Sequence, residues 1–241
     1  MNAFNKLLVN WKSPTHTNYA VATLELLEDQ YRFKYNKEVF EEAKKEGFSP
    51  FVGLSKVDQT YNSDKLFSIF DRRIPNKERT VFRKFMEEHN LDPSKNIEWN
   101  YLSITKGTLA TDSISFVVPA IYFNEKETLF LACEVAGWSF NENLVGEFDL
   151  KDKIGVVVED DNVFDAEAIS LVLTDKSNLK LGYIPRPYNK LFNRIIKKNI
   201  VASANIYSKS EYGRPLVFAF AKVPKNLIQN ELDLQYMIEF C

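Results

Sequence analysis

The chain has 241 residues, 45% of them hydrophobic, and a formal charge of −2. This length suits one large domain or two small ones with an ordinary core, and the near-balanced charge excludes a uniformly basic chain. The two cysteines, Cys133 and Cys241, lie far apart, which excludes a disulfide framework and points to a reducing compartment.

No basic segment followed by an apolar stretch of signal-peptide length opens the sequence. The longest near-apolar run, residues 114–123, is interrupted by Ser115 and Pro119 and is too short to span a bilayer. A soluble cytoplasmic protein without membrane partners is expected.

Residues 2–13 read as an edge strand or a loose end. Residues 19–27 and 30–35 are strand-like around a Glu28-Asp29 turn and predict a β-hairpin. Asn36 suits a helix N-cap, with Glu38, Glu41 and Glu42 early, Lys44 and Lys45 late, and Gly47 as the stop. After the Ser49-Pro50 breaker, residues 51–54 suggest a short strand or bridge. Ser63-Asp64 offers a cap for a short helix running to Phe70. The Ile74-Pro75-Asn76 break precedes a helix over 78–90, with Phe82, Phe85 and Met86 on its apolar face and Leu91-Asp92-Pro93 at its end. Residues 99–104 and 113–118 read as strands around a Gly107 loop. Pro119 and the polar turn at 124–127 suggest a boundary between modules at 1–117 and 118–241.

In the second half, residues 156–158, 168–173 and 181–184 predict three short strands, separated by turn-forming residues at 159–162 and 175–178. Pro187 suits the first position of a helix. Within that helix Tyr188, Leu191, Phe192, Ile195 and Ile196 share one face, and Lys190, Arg194 and Lys197 another. Charge is divided along the chain. Residues 118–175 carry three basic and thirteen acidic side chains, and residues 176–225 carry eleven basic ones against Glu211 alone. Gathered on one surface, the basic set attracts phosphates; laid against the acidic half, it is neutralised.

Two sequence stretches carry a family resemblance. EDDNVFDAEAI at 159–169 and LGYIPR at 181–186 resemble the E-P-x-N-P-Y-D-x-N-A-I and L-G-Y-[IV]-P-R motifs of the HIRAN domain. VAGW at 135–138 is similar to that family's opening strand. The resemblance covers residues 129–223 and implies a small OB-like β-barrel with one prominent helix. It also implies DNA binding, which in helicase-fused members is a grip on the 3′-hydroxyl end of a single strand. By motif position it assigns nucleic-acid contacts to Asn162, Phe164, Asp165, Tyr183 and Arg186. Phe140 adds a second stacking face, and Lys190, Arg194 and Lys197 a basic surface. A carboxylate such as Asp165 accepts a hydrogen bond from a terminal hydroxyl and repels a terminal phosphate. The sequence departs from the family at Ser139 (arginine in helicase-fused members), Phe164 (tyrosine) and Glu167 (asparagine). The alternative is that Asn162 and Asp165 tie the loop to its own backbone and Phe164 is core.

The first half resembles, more distantly, the N-terminal subdomain of HipA-type toxin kinases. The carriers are the opening hairpin, SDKLFSIFDRRIPNKER at 63–79, Leu91-Asp92 and the 107–116 segment. This implies an interaction with a separately encoded HipA-like kinase or its DNA-binding antitoxin. The chain itself has no Gly-rich phosphate loop and no H-R-D or D-F-G motif.

The acids Glu159, Asp160, Asp161 and Asp165 are contiguous enough to suggest a magnesium site, but on a turn they point apart, and a solvated loop is favoured. His16 and His89 have no cysteine near them in sequence, so a finger-type zinc site is not supported. Cys133 reads as a buried small hydrophobe, and Trp11, Trp99 and Trp138 as core. No cofactor, metal or catalytic activity is expected. The expected architecture is α+β, a small sheet with helices followed by the OB-like barrel. The expected function is a non-catalytic bacterial DNA-binding accessory protein preferring single strands or 3′ ends. The alternative is a protein-interaction component of a toxin–antitoxin or phage-defence system.

Overall fold

The computed structural model describes residues 5–28, 30–92, 96–144, 146–150, 152–177, 179–209, 214–228 and 236–240. Asp29, Pro93, Glu211 and Cys241, named above, lie outside them. The chain divides into two compact units, Met1–Val118 and Pro119–Cys241. The architecture is α+β, with thirteen strands in two sheets and five α-helices among the described residues.

In the first unit, β1 (Lys6–Lys12), β2 (Asn18–Leu27), β3 (Gln30–Tyr35), β4 (Thr60–Ser63) and β5 (Ile114–Val117) form an antiparallel sheet in the order β4-β3-β2-β1-β5. The 19–35 hairpin forms where its alternation predicts. The opening segment, read as an edge strand or loose end, is instead an interior strand between β2 and β5. Leu7, Leu8 and Val9 are all buried, and a strand buried on both faces shows no alternation to read.

Asn36 caps α1 (Lys37–Lys45), its Oδ1 accepting from Val39 N at 3.4 Å, and Gly47 leaves the helix with φ +103°. Residues 51–54, expected as a short strand or bridge, form a turn in which Leu54 N donates to Phe51 O at 2.9 Å. The strand lies later, at β4. It absorbs Ser63, so the short helix α2 (Ser68–Asp71) starts without that cap. Helix α3 (Thr80–Glu88) buries Phe82, Phe85 and Met86 as predicted.

Residues 99–104 overturn their strand assignment. They belong to helix α4 (Ile97–Thr105). Trp99 and Leu102 face the main core with Phe33, Phe70 and Phe116, while Ile97 and Tyr101 pack with Phe82, Phe85 and Met86. A helix wedged between two apolar clusters has no polar stripe, so its 3.6-residue period is blurred.

The second unit is built on an eight-stranded sheet in the order β10-β9-β8-β11-β12-β7-β6-β13. Its strands are β6 (Ala120–Phe123), β7 (Thr128–Glu134), β8 (Lys153–Val158), β9 (Ile169–Leu173), β10 (Leu179–Tyr183), β11 (Ala202–Lys209), β12 (Pro215–Lys222) and β13 (Met237–Phe240). All pairings are antiparallel except β13 with β6. Alternate residues such as Leu129, Leu131, Ala204, Ile206, Val217 and Ala219 line the buried face. Helix α5 (Tyr188–Lys197) packs on β9 with Leu191, Phe192 and Ile195 buried.

Among the described residues, the sheet of the expected OB-like barrel is not closed. Strand β7 ends at Glu134, and the first residues of VAGW extend it: Val135 N donates to Pro215 O at 3.1 Å and Ala136 bridges to Tyr183, before Gly137 (φ +72°) leads into a 3₁₀ turn. Beyond β7 the sheet continues into β6 and β13 instead of returning to β10. Among the described residues, β10 meets the β7 extension only at the Ala136–Tyr183 bridge, where each N–H donates to the other carbonyl at 2.9 Å. A register shift between Lys180 and Gly182 bends β10 toward it. Gly182 (φ +146°) lies against Ala136, and a Cβ there would sit 2.4 Å from Ala136 O. Only glycine permits this approach.

Candidate functional site

The β8–β9 loop, the end of β10 and the first turn of α5 meet at one rim of the second unit. Asn162 organises the loop. Its Oδ1 accepts from Phe164 N and Asp165 N, each at 3.0 Å, as Asx residues do in turns. Its Nδ2 donates to Glu159 Oε2 at 2.9 Å and to Tyr183 Oη at 3.2 Å. Tyr183 donates its hydroxyl to Glu159 Oε2 at 3.0 Å, and Lys180 Nζ donates to Glu159 Oε1 at 2.7 Å and Tyr183 Oη at 2.9 Å. Burial works to raise the Glu159 carboxyl, but hydrogen bonds from Lys180, Asn162 and Tyr183 together hold it below the ordinary carboxylate range. The same bonds from Glu159 and Tyr183 raise the Lys180 ammonium.

Asp165 joins this loop to the turn before α5. Its Oδ2 accepts from Arg186 Nε at 2.7 Å and Asn189 Nδ2 at 3.0 Å, and its Oδ1 accepts from Glu167 N at 3.0 Å. Arg186 Nη2 also reaches Phe164 O at 3.4 Å, and buried Asn189 donates to Glu167 O at 3.2 Å. With its backbone pinned on both sides, the loop presents Phe164 to solvent, 91% exposed, beside Val163 at 88%. Phe164 is therefore not core. Phe140, 88% exposed, stands on another segment, the 3₁₀ turn Trp138–Phe140, which Asn141 Nδ2 ties to Leu181 O at 3.3 Å.

Asn162, Phe164, Asp165, Tyr183 and Arg186 are thus held in one bonded group. Lys190 and Lys197 reach the same loop through ion pairs, Lys190 with Glu167 at 3.7 Å and Lys197 with Asp160 at 3.1 Å. Arg194 lies between them on α5, half-buried. The acidic and basic halves of the sequence therefore meet here, and the α5 face is not an open basic stripe. Glu159, Asp160 and Asp165 each turn to a different cation, and the described residues hold no cluster of three or more metal-ligating side chains.

The sequence reading passed over Lys180 and Asn189. Asn189 and Asn193 fall four residues apart on the buried side of α5. An asparagine on an apolar stripe marks a buried polar contact, and that was the available signal. Lys180 had none, because its partners come from another strand and loop.

No helix among the described residues is long and apolar enough to cross a membrane. No curated protein matches the chain. A solved structure of a protein from Lactobacillus plantarum is similar, at 16% identity and a TM-score of 0.32, covering 39% of this chain and 98% of that one. The family model of the HIRAN domain matches residues 130–220, a stretch that runs from β7 into β12 and carries every residue of this rim.

Proposed function

We propose that this protein is a non-catalytic accessory factor that binds DNA at the rim of its second unit, preferring single strands or exposed 3′-hydroxyl ends. The match to the HIRAN domain supports DNA binding in general terms. The observation that carries the finer reading is Phe164, held 91% exposed by an ordered loop beside Asp165 and Arg186. A large apolar ring fixed in water gains nothing for the fold; it offers a base a stacking face at ~1–3 kcal/mol.

Asp165 supplies end selectivity. A carboxylate has about four lone-pair positions, and the Asp165 oxygens accept from Glu167 N, Arg186 and Asn189. The position left on Oδ1 takes a hydroxyl proton and repels a terminal phosphate. Arg186 uses Nε and Nη2 in the bonds to Asp165 and Phe164, which leaves guanidinium N–H groups for a backbone phosphate.

The test is fluorescence anisotropy of a labelled single strand ending in a 3′-hydroxyl or a 3′-phosphate, at two salt concentrations. Tighter binding of the hydroxyl end is expected, with the preference lost in Asp165→Ala and both ends weakened about tenfold in Phe164→Ala. Equal binding of both ends removes the end-reading role, and no binding at low salt removes the DNA reading.

A second reading assigns residues 1–117 to engaging a separately encoded HipA-like kinase or its antitoxin. Its support is the order short helix, Ile74-Pro75 turn, longer helix across α2 and α3, the pattern on which the sequence resemblance rests. Co-purification with such a kinase tests it, and loss of DNA binding is not expected when the kinase is absent.

A further inference from the structure

The β8–β9 loop lies along the same helix face that would hold a nucleic-acid backbone. Lys190 and Lys197 are seven residues, or two turns, apart on α5, and the loop reaches both, through Glu167 at 3.7 Å and Asp160 at 3.1 Å. Side-chain exposure is 52% for Lys197 and 75% for Asp160, against 25% for Lys190 and 35% for Glu167. The Lys197–Asp160 pair is solvated and exchangeable at little cost, and the Lys190–Glu167 pair is half-buried. Resting on the DNA reading above, we propose that Asp160 and Glu167 are specificity-determining counter-charges. They occupy Lys197 and Lys190 in the free protein, so that a phosphate gains the α5 face only by exchanging with a tethered carboxylate.

The consequence is discrimination by charge density. Phosphate binding by lysine is driven by release of counterions condensed on the nucleic acid. A lysine already neutralised by a neighbouring carboxylate offers less of that gain, and the displaced carboxylate then stands beside the incoming phosphate. Duplex DNA carries about one charge per 1.7 Å of axis, so it meets more of this repulsion than a single strand anchored by its terminal nucleotide. Asp160 and Glu167 thereby reject duplex by an unfavourable contact rather than by a favourable one elsewhere.

The experiment compares a single strand ending in a 3′-hydroxyl with a blunt duplex of the same length. The main comparison is between three proteins: the wild type, Asp160→Asn/Glu167→Gln, and Glu125→Gln/Glu239→Gln. The last makes the same charge change at exposed residues outside the loop. The loop variant is expected to bind duplex about two- to fivefold tighter per released lysine, with a steeper salt dependence and a smaller gain for the single strand. Adding Lys190→Gln/Lys197→Gln abolishes that gain, whereas the same lysine changes in the wild type cost less. An unchanged duplex affinity in the loop variant, or an equal gain in the control variant, overturns the proposal while leaving the DNA reading intact. Absence of binding to either nucleic acid by all three proteins overturns both. Urea unfolding of each variant verifies that the fold is retained.

Discussion

The Asp165 carboxylate lies 2.7 Å from Arg186 Nε and fastens the loop after β8 to the turn before α5. The same oxygen accepts from Asn189, buried in the first turn of that helix, so one side chain sets both the loop and the helix entry.

Removing it therefore has a structural cost separate from any ligand. Asp165→Ala strands Glu167 N and withdraws one partner from Asn189 Nδ2 and from Arg186. The expected loss is about 1–3 kcal/mol, read as a lower urea midpoint with an unchanged slope. A variant as stable as the wild type counts against this role.

Stability on the acid side depends on Glu159. Its folded pKa is held below the ordinary 4.5 because hydrogen bonds from Lys180, Asn162 and Tyr183 outweigh the opposing effect of burial. A depressed carboxylate contributes stability that is full above its unfolded value and is lost as pH falls through the folded one. Denaturant unfolding between pH 7 and pH 3 is expected to lose stability below about pH 4.5 more steeply in the wild type than in Glu159→Gln. Parallel curves for the two proteins overturn the assignment.

Gly182→Ala places a methyl 2.4 Å from Ala136 O and 2.5 Å from Val135 Cγ1, at φ +146°. The Ala136–Tyr183 bridge must then open. A loss of about 2 kcal/mol or more is expected, with faster exchange of the Tyr183 and Ala136 amides.

In the first unit, Arg73 is 4% exposed and donates to Gly107 O at 3.0 Å and Asp112 Oδ2 at 2.5 Å. Breaking such a pair from one side leaves a buried charge, whereas an apolar replacement of the arginine removes it. Asp112→Ala is expected to cost about 3 kcal/mol, and Arg73→Met distinctly less, by thermal and urea unfolding. The reverse order would mean that the arginine's packing and its carbonyl bonds dominate.

The half-exposed strands β4, β11 and β12 went unassigned, but other elements with one face to water were located by the sequence alone. The β2–β3 hairpin, α1 with its Asn36 cap and the amphipathic α5 are of this kind. Elements enclosed on both sides were misread: β1 as an edge strand or loose end and α4 as a strand. At the rim, the family motifs marked Asn162, Phe164, Asp165, Tyr183 and Arg186 as a group. The bonds that make them one came partly from Lys180 and Asn189, which carry no local pattern.

The sequence by itself determined the α+β class, the order of the rim elements and the two opposed blocks of charge, because periodicity, caps and motifs are local properties of the chain. Only the tertiary structure decided three further matters. The sheet extends past β7 instead of closing, Phe164 stands in solvent, and the acidic block lies against the basic helix at Asp160–Lys197 and Glu167–Lys190. Each depends on which distant groups are brought within a few ångströms, and both hydrogen bonding and charge neutralisation act only at that range.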